Sequence, residues 1–237
     1  EIVRLIPAKI GNLDVSFTNA SLWMVIAIAA VTVFLVGGMR RQALVPGRWQ
    51  SMAELSYEFI AGMIQDNVGS SGKKFFPFIF TLFMFILFGN MMGMVPYSFT
   101  FTSHIVVTFA MAFVVFIGVT IVGFVYHGAH FLSFFVPKGV PKVMLLLMVP
   151  IEVLSYLTRP VSLSIRLFAN MMAGHTMMKV FAGFVVTLGA ATFGIGGLAP
   201  MAMNVALTGF ELLVAFLQAY VFAVLTCLYL NDAIHLH

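Results

Sequence analysis

Long apolar runs constrain this chain more than any other feature of its sequence. A helix that crosses the hydrocarbon core of a bilayer needs about 20 mainly apolar residues. Five stretches reach that length, at positions 15–39, 75–95, 105–126, 143–188 and 201–230. The sequence therefore predicts an all-α integral membrane protein, with about five membrane-crossing helices in a single membrane domain over residues 1–237.

The composition agrees with that prediction. Only 8% of the 237 residues are charged and 62% are hydrophobic, whereas a soluble domain carries about 25% charged residues. The net charge of +4 does not indicate nucleic-acid binding, because the basic residues lie between apolar runs and form no patch with aromatics. The single cysteine, Cys227, excludes an intrachain disulfide and argues against structural zinc. No phosphate-loop or dinucleotide motif appears, so we predict no cofactor.

His127 and His130 stand one helical turn apart and are the candidate pair for a metal. The sequence favours reading them as interfacial side chains, and we predict no metal site.

The loops predict the orientation of the spans. Basic residues concentrate between the first and second spans and between the third and fourth, namely Arg40, Arg41, Arg48, Lys73, Lys74, Lys138 and Lys142. The loops at 96–103 and 189–200 contain no Lys or Arg. By the positive-inside rule the basic loops face the cytoplasm. With five spans, the N-terminus then lies outside and the C-terminus lies in the cytoplasm.

Residues 48–67 predict an amphipathic helix between the first two spans. Apolar side chains recur there at helical spacing, namely Trp49, Met52, Leu55, Phe59, Met63 and Ile64. Ser51 and Glu54 have the spacing of a capping box. We interpret the segment as a helix on the cytoplasmic membrane surface; the alternative is a soluble helix packed on a partner.

The fourth apolar stretch is too long for an ordinary span. Its 45 or so residues would extend roughly 68 Å as one helix at about 1.5 Å per residue, about twice the hydrocarbon thickness. It contains several ionisable residues and two prolines, namely Glu152, Arg159, Arg166, Lys179, Pro150 and Pro160. The stretch is therefore expected to be strongly tilted or broken.

A polar stripe follows one face of that stretch. Its members are spaced three or four residues apart, namely Glu152, Ser155, Arg159, Ser162, Arg166 and Asn170. A charge at the bilayer centre costs roughly 2.5–3.5 kcal/mol on insertion scales, so a stripe of this kind indicates a polar partner. Arg166 lies near the middle, and its guanidinium stays protonated in proteins. It is a fixed positive charge that repels cations and attracts a carboxylate; the alternative role is a paired charge that only locks helices together.

The fifth span adds Glu211 and Gln218 on nearly the same face. If the last two spans form an antiparallel hairpin that turns within 189–197, Arg166 lies level with about residue 220, close to Gln218, and His175 lies level with Glu211. His175 and Glu211 are candidate proton carriers. The alternative is a hydrogen-bonded pair that serves stability alone.

These residues resemble a known family. Residues 159–175, RPVSLSIRLFANMMAGH, are similar to the central segment of subunit a of F-type ATP synthases. Residues 217–222, LQAYVF, with 228–230, LYL, resemble the last helix of that family, and residues 88–96, FGNMMGMVP, resemble its second span. The resemblance covers nearly the whole chain.

The resemblance implies a stator that works against a rotating ring of c subunits, through two offset aqueous half-channels. Arg166 matches the essential arginine between the half-channels, where it faces the ring carboxylate. Four residues match the outer half-channel and the surroundings of the arginine, namely Asn170, His175, Glu211 and Gln218. Three match the cytoplasmic half-channel, namely Glu152, Ser155 and Ser162. The implied partners are the c ring, b-type peripheral-stalk subunits, the remainder of the ATP synthase and the lipid bilayer; the chain carries no catalytic site of its own.

The chain departs from the best-known bacterial members at one pair of positions. Those members have an acid where His175 stands and a His where Glu211 stands, so the pair is exchanged here, as in mitochondrial members. The implied location is a bacterial inner membrane, of alphaproteobacterial type, or a mitochondrial inner membrane. The carried ion is a proton or a sodium ion, a choice that the ring site largely sets.

A secondary cation/proton transporter is the alternative function. Transporters of that class often show inverted repeats and a midplane acid, whereas this chain has no repeat and places Arg166 at its centre. A purely structural membrane anchor would not need Arg166, His175 and Glu211 in registered layers.

Overall fold

The computed structural model describes residues 4–6, 9–10, 13–14, 16–39, 47–95, 98–128, 131, 136, 142–192 and 194–235. Five helical stretches in it are long and apolar enough to cross a membrane, namely Asn19–Met39, Arg48–Gly93, Ile105–His127, Met144–Ala191 and Ile195–Ile234. The prediction of an all-α membrane protein with about five spans is therefore confirmed. Arg40, Arg41, Lys138 and His130 from the loop analysis lie outside the described residues.

Short antiparallel strand pairs precede the first helix. Strand β1 (Arg4–Ile6) pairs with β4 (Phe17–Thr18), and β2 (Lys9–Ile10) pairs with β3 (Leu13–Asp14). Helix α1 (Asn19–Met39) begins four residues after the predicted start at position 15, because residues 17 and 18 belong to β4. The Thr18 hydroxyl accepts a hydrogen bond from the Ser21 backbone N–H at 3.4 Å, as an N-terminal cap does.

The predicted amphipathic helix forms as α2 (Arg48–Val68). A 3-10 segment (Gly69–Phe75) follows it and leads into α3 (Phe76–Gly93). The capping box proposed for Ser51 and Glu54 is wrong. The helix begins a turn earlier, with Gly47 as its N-cap, so the Ser51 N–H is already bonded to the Gly47 carbonyl at 2.9 Å. The Glu54 carboxylate instead accepts a hydrogen bond from the Gln50 amide at 2.7 Å.

The remaining helices are α4 (Ile105–His127), α5 (Lys142–Ala191) and α6 (Leu198–Ile234). Helix α5 is continuous over 50 residues although Pro150 and Pro160 lie inside it, and its length is about 75 Å at about 1.5 Å per residue. Of the two predicted possibilities, a break is therefore excluded. Helix α6 has 37 residues, about 55 Å at the same rise. Both helices exceed the roughly 30 Å of a hydrocarbon core.

A tight turn joins α5 to α6 where the hairpin was predicted. Gly194 adopts a φ of 96°, in the left-handed region that glycine tolerates without strain. Its N–H donates to the Gly189 carbonyl at 2.7 Å. At Gly197 a Cβ would lie 2.9 Å from the Val185 carbonyl oxygen, so the two helices approach each other there only because this residue has no side chain.

The chain divides into two compact units. The first comprises Glu1–Val33, Met84–His104 and Leu167–Tyr220, and the second comprises Phe34–Phe83, Ile105–Arg166 and Val221–His237. Large apolar side chains form the core of each. In the first unit they include Met84, Ile86, Phe101, Leu167 and Met171, and in the second Ile60, Ile64, Ile79, Phe83, Val115, Leu163 and Phe222.

Many large apolar side chains remain exposed, as a surface in contact with lipid requires. Val106 and Val125 of α4 are each 76% exposed, and Leu146 of α5 is 84% exposed. Extended apolar surfaces of this kind mark membrane or protein contacts in folded chains.

Candidate functional site

His175 of α5 and Glu211 of α6 form a close pair inside the first unit. The His175 Nδ1 and Glu211 Oε1 atoms are 3.4 Å apart, and the side chains are 18% and 3% exposed. Gly174 makes room for the acid, because a Cβ there would lie 2.8 Å from Glu211 Oε1. The predicted equal depth of the two residues is confirmed, since both helices rise from the same turn.

A third residue, Thr100, contacts His175 of this pair, and sequence reasoning did not identify it. Its Oγ1 atom lies 2.9 Å from Nε2 of His175 and donates a hydrogen bond to the Gly93 carbonyl at 2.9 Å. Gly93 permits the approach, because a Cβ there would lie 2.5 Å from Thr100 Oγ1. Thr100 lies in the irregular segment between α3 and α4, where no helical or strand periodicity marks a functional position.

A second polar contact links the same two helices in the first unit. The Asn170 amide donates to the Gln218 side-chain oxygen at 2.8 Å. Gln218 is buried, and its own Nε2 group has no hydrogen-bond partner among the described residues. The structure therefore confirms the predicted pairing of His175 with Glu211. It also joins Asn170 to Gln218, two predicted site residues whose pairing was not predicted.

Buried polar side-chain atoms without a hydrogen-bond partner occur in the same unit as these contacts. Within the described part of the chain there are seven, all in the first unit, on Asn90 (Oδ1), Ser98 (Oγ), Thr102 (Oγ1), Asn204 (Oδ1), Glu211 (Oε1 and Oε2) and Gln218 (Nε2). Buried polar groups in folded proteins nearly always have a partner, and where protein supplies none the partner is water. Apart from Glu211 and Gln218, sequence reasoning did not identify these residues.

Asn90 is one of these residues, and it also bonds the backbone of α6. The residue is fully buried, and its Nδ2 group donates to the Ala215 carbonyl at 3.3 Å. Its Oδ1 atom is one of the partnerless acceptors. The amide therefore bonds the α6 backbone one turn from Glu211 with one end and offers an acceptor with the other.

Arg166 belongs to the second unit and is exposed. Among the described residues, no hydrogen bond or ion pair involves its guanidinium. Ser155 and Ser162, from the same predicted stripe, are also exposed, and Glu152 is half-buried. The exposed guanidinium is thus available to a negatively charged group on another chain.

Arg159, two turns before Arg166, has a different environment. Its guanidinium lies 3.2 Å from the Asp232 carboxylate and packs over the rings of Tyr156 and Tyr229, at 5.2 Å and 4.9 Å from their centroids. The Tyr156 hydroxyl is in turn 2.7 Å from that of Thr120. The stripe is therefore not uniform: one arginine is paired within the second unit and the other is exposed. Asp232 was not anticipated from the sequence.

Comparison with known proteins decides the family. The model of the family described as ATP synthase A chain matches residues 21–231. A protein of Paramagnetospirillum magneticum named ATP synthase subunit a is 56% identical over 240 residues, covering 100% of this chain and 97% of the relative. Proteins of the same name from Parvibaculum lavamentivorans and Pelagibacter ubique are 61% and 58% identical, covering 98% and 100% of this chain and 90% and 96% of their own lengths. The chain belongs to the ATP synthase subunit a family.

Membership confirms the resemblance drawn from residues 159–175, including its alphaproteobacterial character. Subunit a is a proton-conducting, non-catalytic component of the membrane sector of the ATP synthase. This chain is accordingly a multi-pass membrane protein that associates with the rest of an ATP synthase.

The remaining candidate site involves His127, the last residue of α4. Its Nε2 atom lies 2.9 Å from the Ile234 carbonyl oxygen, and His130 lies outside the described residues. The contact ties the end of α4 to the end of α6 within the second unit. In this subunit a chain, His127 is therefore engaged by the backbone.

Proposed function

We propose that this chain passes protons to and from a ring of c subunits through two offset half-channels, and so couples the proton gradient to ATP synthesis. The observation that carries the proposal is the buried acid Glu211, whose two oxygens have no hydrogen-bond partner in the described part of the chain and lie next to His175. A carboxylate in that environment is costly unless water or a proton reaches it. The position of Glu211 therefore suits proton transfer rather than stabilisation of the fold.

In this proposal, the outer half-channel is formed by the polar side chains of the first unit described above. Two layers of polar side chains cross between α5 and α6, His175 with Glu211 and Asn170 with Gln218. Five residues separate the layers along α5, which is about 7.5 Å of helix rise. The partnerless polar atoms of the same unit offer hydrogen-bonding sites for a chain of water molecules. A proton can then pass from the water chain to the His175–Glu211 pair and onward past Asn170.

Arg166 acts in the proposal as a fixed charge between the two half-channels. A guanidinium does not release its proton in proteins, so it cannot relay one. Two unit charges about 4 Å apart interact by roughly 4 kcal/mol at an effective dielectric constant of about 20. A ring carboxylate that passes an exposed Arg166 is therefore held in its ionised form, and protons cannot leak directly from one half-channel to the other.

The cytoplasmic half-channel follows the earlier part of α5. Glu152, Ser155 and Ser162 are half-buried or exposed on that helix and supply polar groups toward the cytoplasm. The distribution of basic residues between the loops supports an orientation with the N-terminus outside and the C-terminus in the cytoplasm of a bacterial inner membrane. A c ring and b-type stalk subunits are the expected partners, the ring on the face that presents Arg166.

Replacement of Glu211 by Gln tests the proposal. We expect ATP-driven proton pumping in inverted membrane vesicles to fall by at least about 100-fold, the range for removal of a general acid–base group. Glu54→Gln is the matched control, since Glu54 is an exposed acid of α2 that bonds only Gln50 among the described residues. Assembly is checked in both variants by the amount of ATPase head bound to the vesicles. Normal pumping by an assembled Glu211→Gln complex would contradict the proposal.

A further inference from the structure

We propose that Thr100 is a positioning residue that holds the proton of neutral His175 on Nε2, and so keeps the Nδ1 lone pair facing Glu211. The inference rests on the proposed use of the His175–Glu211 pair as a proton carrier. It concerns a residue of the loop between α3 and α4, outside the two helices that supply the pair.

The Thr100 hydroxyl has a single hydrogen to donate. The hydroxyl has two close neighbours, the Gly93 carbonyl oxygen and Nε2 of His175, each at 2.9 Å. A carbonyl oxygen can only accept, so the hydroxyl hydrogen points to Gly93. The contact with His175 is then a hydrogen bond only if Nε2 donates. A neutral imidazole carries one N–H, so its proton is on Nε2 and Nδ1 is bare.

The surroundings of Thr100 keep this arrangement in place. The backbone carbonyl of Thr100 accepts hydrogen bonds from the Ser103 hydroxyl at 2.7 Å and the Ser103 N–H at 3.2 Å. The Thr100 side chain is buried, and it packs so closely on Gly93 that a Cβ there would lie 2.5 Å from Oγ1. If the hydroxyl hydrogen turned toward the imidazole, the Gly93 carbonyl would lose this hydrogen bond.

The bare Nδ1 faces Glu211 Oε1 at 3.4 Å. This separation is longer than an ordinary hydrogen bond of about 2.9 Å. The two side chains must therefore move slightly closer before Nδ1 and Oε1 can share a proton. An arriving proton forms one bond, either N–H at Nδ1 or O–H at Oε1, and the same bond breaks when the proton leaves. The charge of the pair changes from −1 to 0 and back, while the Nε2–H bond to Thr100 is never broken.

Loss of the hydroxyl would reverse the tautomer. With valine at position 100, Nε2 has no acceptor, and the favourable partner for an N–H is the Glu211 carboxylate on the Nδ1 side. The hydrogen of the neutral imidazole then lies on Nδ1, between the ring and the Glu211 carboxylate. On the imidazole, the next proton can then bind only at Nε2, which faces the methyl groups of the introduced valine instead of Glu211.

Nitrogen-15 NMR of histidine-labelled complex in membranes, recorded over a pH series, reads the tautomer directly. The His175 signals are identified by their loss in His175→Gln. We expect neutral His175 in the native protein to carry its proton on Nε2. Thr100→Val should shift the tautomer ratio toward Nδ1–H by about fivefold or more, the effect of one net hydrogen bond, with a comparable fall in pumping rate. Thr100→Ser should restore both.

The matched control is Thr226→Val, which removes another buried threonine hydroxyl, one that donates to the Phe222 carbonyl of its own helix. It should change neither the tautomer nor the pumping rate. A native His175 protonated on Nδ1, or an unchanged tautomer in folded Thr100→Val, would overturn the inference. If Thr100→Val does not assemble, the native spectrum and Thr100→Ser decide. Normal pumping by His175→Gln would instead refute the carrier role of the pair and leave the tautomer assignment to the spectra.

Discussion

Gly174 controls how closely Glu211 approaches the helix that carries His175. An added Cβ would lie 2.8 Å from Glu211 Oε1 and 3.0 Å from its Cδ, where ordinary contact begins at 3.4 Å. The carboxylate must therefore move by about 0.6 Å in Gly174→Ala. Because the clashing atoms are the far end of a flexible side chain, the fold tolerates the change. The expected effect is a longer distance between the Glu211 carboxylate and His175.

The magnitude follows from the distance between the two groups. At an effective dielectric constant of about 20, two unit charges attract by about 4.9 kcal/mol at 3.4 Å and by about 4.2 kcal/mol at 4.0 Å. A displacement of this size therefore weakens the charged pair by about 0.7 kcal/mol, or about threefold in an equilibrium constant. We expect ATP-driven proton pumping by Gly174→Ala vesicles to fall by about that factor, at unchanged complex content.

Gly183→Ala is the matched control on the same helix. A Cβ at Gly183 meets no atom within 4 Å, and alanine in place of a helical glycine stabilises by roughly 0.5–1 kcal/mol. Pumping by this variant should equal that of the native complex. Equal pumping by Gly174→Ala and Gly183→Ala would refute the reasoning that the spacing of Glu211 limits proton transfer.

Two further predictions concern stability, each measured by denaturant unfolding of the detergent-solubilised chain. Arg159→Gln and Asp232→Asn should show a coupling of at most about 1 kcal/mol in a double-mutant cycle, because Asp232 is partly exposed; additive effects would show that the two charges do not interact. Gly194→Ala should lower the free energy of unfolding by roughly 1–2 kcal/mol, since its φ of 96° is unfavourable for residues with a Cβ, and no loss relative to Gly183→Ala would contradict that assignment.

The sequence predicted those features that depend on length and periodicity. Apolar runs of membrane length became helices, because backbone groups in lipid must be satisfied within the segment. The pairing of His175 with Glu211 followed from counting residues outward from a turn, since both helices rise by the same distance per residue.

Other features depend on contacts that the sequence does not mark. Thr100 reaches His175 from a loop 75 positions away, and Arg159 finds Asp232 near the end of α6. The capping box predicted at Ser51 and Glu54 was wrong because these residues lie inside a helix that begins at Arg48, about one turn earlier. Local patterns indicate what a residue can do, and tertiary packing decides which partner it meets.

The proposed role of Arg166 likewise depends on a partner that the local sequence does not identify. Arg166 stands out in the sequence as a charge in an apolar run, and in the structure as an exposed guanidinium outside the ion pairs of the described residues. Its proposed partner is on another chain, the ring carboxylate, so only the assembled complex can test its role.

The most direct test of the central claim is ATP-driven proton pumping in inverted vesicles that carry Arg166→Ala, with passive proton leak measured on the same vesicles. Arg166→Lys, which keeps a positive charge, and the native complex serve as references. If Arg166 is the charge barrier between two half-channels, pumping by Arg166→Ala vanishes while the complex still assembles, and leak rises. Pumping near the native level, with no added leak, would show that Arg166 is only a structural charge and would contradict the half-channel account.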